Sequence, residues 1–246
     1  MKELERFKNK YMSLEQNVKY NFDEDECRNV LQYIFKSTPF EHPDAFFVDG
    51  DTLYIIEHFE YDSSEFKKHM GSIMRVQDNE FNKKMELTIG FFSAQYNTNS
   101  SIKNYCLNFL RSFNKHVNQN DKYLNDVSKK LNKSFKNIKY IYVAEDNSIL
   151  GTSTFFAHKL ELVFPIYIPE ILEIINKSNA DYMLFSNIYG NDKFLYMYKN
   201  NYNDDKLLKM NSDIKILFNS PLAIGYNIKL KWLFKKDYDY ENSYCM

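Results

Sequence analysis

The sequence predicts an α/β protein, with α+β as the other arrangement open to it, built on a central mixed sheet flanked by helices. Three observations predict this. Apolar stripes at helical spacing alternate along the chain with short apolar runs of strand length, the pattern of a sheet with helices packed against it. An Asp49-Gly50 pair between two such runs marks a hairpin, and so at least one antiparallel pairing. The chain has 246 residues, 44% hydrophobic and 17% aromatic, which supplies ample core.

The first predicted helix spans 23–36. Asp23, Glu24, Asp25 and Glu26 place negative charge where the helix dipole favours it, and Cys27, Val30, Leu31, Ile34 and Phe35 form the apolar stripe. Thr38-Pro39 and His42-Pro43 then break the helix. Ala45 to Val48 and Leu53 to Phe59 form the hairpin around Asp49-Gly50-Asp51. Ser63 to Lys84 is polar and predicts one helix plus a loop, followed by a strand at Leu87 to Phe92. Ile102, Tyr105, Cys106, Phe109, Leu110, Phe113 and Val117 keep helical spacing, and Tyr123, Leu124, Val127 and Leu131 repeat it. The run IKYIYVAED is a strand. A helix opened by Pro169 follows, then the strands DYMLFS and KFLYMYK, a turn cluster from Asn200 to Asp205, a helix near 204–217 and the strand YNIKLKWLF. The tail KKDYDYENSYCM has little to pack and is expected to fray. If the chain divides, the division falls in 149–164, giving a core domain over 1–148 and an extension or small second lobe over 149–246; one continuous domain is the other organisation.

Thirty-two basic side chains face 33 acidic ones, for a formal charge of −1. No global field would draw in nucleic acid or an anionic membrane, so such binding requires a local patch. Cys27, Cys106 and Cys245 are few, odd in number and far apart, which argues against a disulfide framework or zinc knuckle and fits a reducing cytoplasm. No apolar run reaches membrane-spanning length, and the N-terminal residues lack the apolar centre of a signal peptide. With six glycines in all, and neither a nucleotide-binding glycine motif nor a nucleophile elbow, phosphate-loop and hydrolase-elbow chemistries are excluded. The lysine-, asparagine- and isoleucine-rich usage is the bias of an A+T-rich coding sequence, pointing to a low-GC bacterium, a phage or a mobile element.

The charge in EHPDAFFVDGDTLYIIEHFEYDSS is what carries chemistry. Leu53 to Ile56 is apolar on both faces, as in a central strand, and polarity begins at Glu57. By period two Glu57 shares a face with Ile55 and Phe59, whereas His58 shares the other with Glu60 and Asp62. A lone buried carboxylate is costly unless paired, protonated or bound to a cation, and a divalent metal shared with Asp44 would remove that cost.

The order of parts resembles the core of the PD-(D/E)XK nuclease superfamily: an acidic residue early in a helix, Pro43-Asp44 at the start of a strand, a short hairpin, then Glu57 in an apolar strand. The resemblance runs from about Asp23 through the helix near 101–118 to the strand at 138–144. It implies a restriction-endonuclease-like core with a C-terminal α/β extension. It also implies a cytoplasmic, metal-dependent nuclease that acts on nucleic acid, DNA rather than RNA, in restriction or mobile-element defence, with no membrane partner and with a homodimer open to it. Asp44 and Glu57 would ligate Mg²⁺ or Mn²⁺, with the carbonyl of residue 58 as a third ligand and Glu24 or Glu26 as an outer one. His58 is a further candidate ligand that would favour Mn²⁺, and His42 is near in sequence. Where the family has a lysine two residues after the glutamate, this chain has Phe59. Glu60, Lys67 or Lys68 would have to supply that catalytic function, or the site has lost hydrolysis and the protein is an inactive nuclease fold that binds protein or nucleic acid. Lys67, Lys68, His69 and Arg75 form the nearest basic stretch for phosphate, and NKSFKNIKYIY is a second; solvated helix faces are the simpler reading of both. A charged hairpin end in an unrelated fold is the remaining reading.

Overall fold

A computed structural model describes residues 3–13, 18–62, 64, 66–67, 71–72, 102–147, 169–189 and 192–202. The predicted strand at 87–92, helix near 204–217 and strand at 226–234 lie outside the described residues, as do 149–164 and Cys245.

Five helices are described: α1 (Glu3–Tyr11), α2 (Glu24–Phe35), α3 (Ile102–Val117), α4 (Asn120–Leu131) and α5 (Pro169–Lys177). The strands are β1 (Lys19–Tyr20), β2 (Thr38–Pro39), β3 (Ala45–Asp49), β4 (Thr52–Tyr61), β5 (Phe66–Lys67), β6 (Gly71–Ser72), β7 (Asn137–Asp146), β8 (Tyr182–Tyr189) and β9 (Asp192–Lys199). Seven of them form one mixed sheet in the order β1-β9-β8-β7-β4-β3-β2, and β5 pairs with β6 alone. This is an open α/β sheet with flanking helices. β7 pairs with β8, so described residues on both sides of 149–164 share one sheet.

The local causes are those the sequence carries. Asp23 caps α2, its Oδ1 accepting from the Glu26 N–H at 2.9 Å, and three acidic residues follow in the first turn. Gly50 turns β3 into β4 with a φ of +57°, a conformation a side chain would strain. β3 and β4 run antiparallel with Ala45 opposite Ile56, while β4 and β7 run parallel with Glu57 opposite Tyr142.

Both sheet faces are covered. α1 and α2 place Leu4, Phe7, Tyr11, Cys27, Val30 and Leu31 over Ile56, Ile141, Val143 and Leu184. On the opposite face α3 and α5 place Tyr105, Phe109, Phe113, Ile171 and Ile175 over Phe59, Tyr61, Tyr142, Met183 and Phe185. Tyr123 and Val127 of α4 pack on Leu53 and Ile55 near the hairpin. The alternation 182/184 against 183/185 is the two-residue strand period with both faces buried.

Two departures stand out. The helix expected within 63–84 is not formed by its described part, where β5 and β6 pair antiparallel. A glycine at position 71 weakens a helix there and suits a chain turning back on itself. α1 was not expected, because five charged residues mask its stripe of Leu4, Phe7 and Tyr11. Cys27 and Cys106 are buried, and neither forms a disulfide. Among the described residues no helix is long and apolar enough to cross a membrane.

Candidate functional site

Asp44 lies one residue before β3, directly across from Glu57 of β4 by continuation of the hairpin register. There the carboxylates take over the ladder. The Asp44 N–H donates to Glu57 Oε2 at 3.1 Å, and the His58 N–H donates to Asp44 Oδ2 at 2.8 Å. The two carboxyl groups stand close enough for each to shift the other's proton affinity. A strand residue directs its N–H and C=O toward the same neighbour, so the His58 carbonyl faces the edge on which Asp44 sits.

Glu57 is 4% exposed. Its Oε1 lies 3.2 Å from His116 Nδ1, in the last turn of α3. The Tyr123 hydroxyl is 3.3 Å from the same His116 nitrogen. Phe59 lies flat beneath His116, the rings 5.8 Å apart and inclined by 17°.

Two acids in contact at a half-buried position cannot both ionise without cost. Burial first, then the hydrogen bond and charge of Glu57, push the Asp44 carboxyl up to about 7. Burial alone would raise Glu57 too, but hydrogen bonds from His116, Asp44 and Tyr123 outweigh it and hold Glu57 below the ordinary range. Below about pH 7 the pair therefore retains one proton between its two carboxyl groups. Burial raises the Tyr123 hydroxyl, which remains a donor.

The other residues singled out in the sequence go elsewhere. The His58 ring is on the opposite face, tilted against Phe7 of α1, with Nε2 3.1 Å from Glu145 Oε2 on β7. Lys10 of α1 pairs with the other oxygen of Glu145. Glu60 shares that face, where burial and the charge of Glu145 raise its carboxyl. The His58 imidazole and Glu60 are thus separated from Asp44 and Glu57 by the thickness of the sheet. Glu26 accepts from the Tyr182 hydroxyl at 2.5 Å and pairs with Lys199 at 2.7 Å, while Glu24 pairs with Arg28. His42 is exposed. Lys67 lies on β5, whereas Lys68, His69 and Arg75 fall outside the described residues. In the second basic stretch Lys133 reaches the Gly50 carbonyl, Lys136 pairs with Asp51 and Lys139 with Asp181. Asn137 pairs with Thr52, five residues from Glu57, which places that end of the sheet on the order of 17 Å away.

His116 and Tyr123 are the site residues that sequence reasoning missed. The signal was present: with Phe109 and Phe113, position 116 continues the stripe that faces β4, and a histidine on an apolar stripe needs a polar partner.

The fold and site define an α/β protein with an open mixed sheet and, at the diverging end of its β3–β4 hairpin, an acid pair of buried Glu57 and half-buried Asp44. The chain matches no family model, no curated protein and no solved structure. Among the described residues no group of three or more His, Cys, Asp or Glu side chains is arranged to hold a metal. A cation here would rest on the two carboxylates with backbone oxygen and water, a donor set that suits Mg²⁺ or Mn²⁺.

Proposed function

We propose that this protein is a metal-dependent nuclease that hydrolyses phosphodiester bonds of nucleic acid, DNA rather than RNA. The observation that carries the reading is the convergence of Asp44 and Glu57, Glu57 accepting from the Asp44 N–H and Asp44 from the His58 N–H, where burial favours a carboxyl proton that a divalent cation would replace. The order of parts supports it. α2, Pro43-Asp44 leading into β3, the hairpin, Glu57 within an apolar β4, α3, and β7 parallel beside β4 follow the sequence of elements in the PD-(D/E)XK resemblance.

Asp44 and Glu57 would hold Mg²⁺ or Mn²⁺, with the His58 carbonyl beside them. When bound, the cation supplies an activated water and a Lewis acid for the phosphate. The chain's own part is to fix two carboxylate oxygens at one point and to shield Glu57 beneath α3. The experiment is cleavage of plasmid, linear duplex and single-stranded DNA with Mg²⁺ or Mn²⁺, comparing wild type with Asp44→Ala and Glu57→Ala. Cleavage lost in both variants supports the reading. Cleavage unchanged in both, or absent from the wild type, removes it.

One observation favours a second reading, an inactive nuclease fold that binds nucleic acid or protein. Phe59, where the family has its lysine, is 3% exposed and packed against Phe109 and Phe113. DNA retention by a wild type that cleaves nothing would select that reading.

A further inference from the structure

We infer that His116 is the positioning residue of the acid pair, fixing Glu57 through an Nδ1–H bond while standing on Phe59. The inference rests on the reading of Asp44 and Glu57 as cation ligands. Its geometry does not depend on a bound ion. Glu57 has two oxygens with different neighbours: Oε2 accepts from the Asp44 backbone, and Oε1 faces His116 Nδ1 at 3.2 Å. A carboxylate only accepts, so the imidazole nitrogen facing it carries the proton. Phe59 sets the plane of the ring and Tyr123 closes on the same nitrogen at 3.3 Å. The carboxylate is thereby kept from rotating away from Asp44. A lysine at position 59 would leave no flat surface for this ring, so Phe59 and His116 belong to one arrangement.

Groups that orient a metal-binding carboxylate typically matter about 10–100-fold in metal affinity. The test is calorimetric titration of the full chain with Mn²⁺, using wild type, His116→Ala, His116→Asn and His116→Gln, with thermal unfolding of each. Asn places an amide N–H where Nδ1 stands; Gln places it where Nε2 stands. The expected result is affinity about 10–100-fold weaker in His116→Ala and His116→Gln and largely restored in His116→Asn, with similar unfolding temperatures. Affinity equal to wild type in His116→Ala or His116→Gln, while Asp44→Ala and Glu57→Ala lose binding, overturns the role of His116 and leaves the metal reading standing. No Mn²⁺ binding by the wild type overturns the metal reading itself. A readout independent of metal is the nitrogen NMR spectrum of the His116 ring: a protonated Nδ1 is expected, and a bare Nδ1 overturns the inference even if every variant unfolds.

Discussion

Asp44 has a carboxyl that keeps its proton to about pH 7 in the folded protein against an ordinary value of 3.8. Between those values the folded state binds a proton that the unfolded chain has released, so this contribution to stability is fully present below 3.8 and is lost as pH rises through about 7. Asp44→Asn keeps an acceptor for His58 and a donor for Glu57 but does not titrate. Urea unfolding with chelator present should therefore show the variant gaining on the wild type as pH rises from 4 to 7; parallel stability profiles would contradict the shared proton. At Phe59, substituting lysine should lower the unfolding temperature, since Phe109, Phe113 and the His116 ring offer an ammonium group no acceptor. Cleavage gained without loss of stability would count against the arrangement described. That Glu57 and His58 face opposite ways was legible in the sequence, because strand period alone decides it. That His116 meets Glu57 was not: the contact spans 59 residues and depends on which turn of α3 lands over β4, which no local spacing encodes.

At the scale of elements, the strongest local signals gave the correct structure. The acidic opening of α2 is a cap in fact, and Asp23→Ala should cost about 1 kcal/mol of stability in chemical unfolding. An unchanged midpoint would show that the acidic turn, rather than the cap, carries the helix start. α3, α4, α5 and strands β3, β4, β7, β8 and β9 all follow apolar periodicities readable in the chain. α1 is the counterexample. Its nine residues are too few to form alone, and its helicity is paid for by Leu4, Phe7 and Tyr11 burying against the sheet, together with Lys10 reaching Glu145. Local sequence cannot announce an element whose stability lies in such distant partners.

For the whole molecule, the sheet is the unit that matters. β4 and β7 make the centre, β8 extends it on one side and β3 on the other, so the apolar faces of β7 are completed by residues beyond 169. A fragment ending at residue 148 would expose the β8 side of β7 and uncover the α5 face. Such a fragment should aggregate, and a folded monomer giving cooperative unfolding would show instead that the N-terminal part stands by itself. The order of strands was only partly legible, since periodicity locates strands but not their neighbours, and β1 joins β9 across nearly the whole described chain. The two outermost strands have a further consequence. Each is two residues long, and one of them, β2, contains Pro39, which brings no N–H to an incoming strand. Among the described residues, the β2 margin of the sheet is therefore a short stub that discourages its continuation into a neighbouring molecule, a protection against fibrous growth on that side for a tyrosine- and phenylalanine-rich chain.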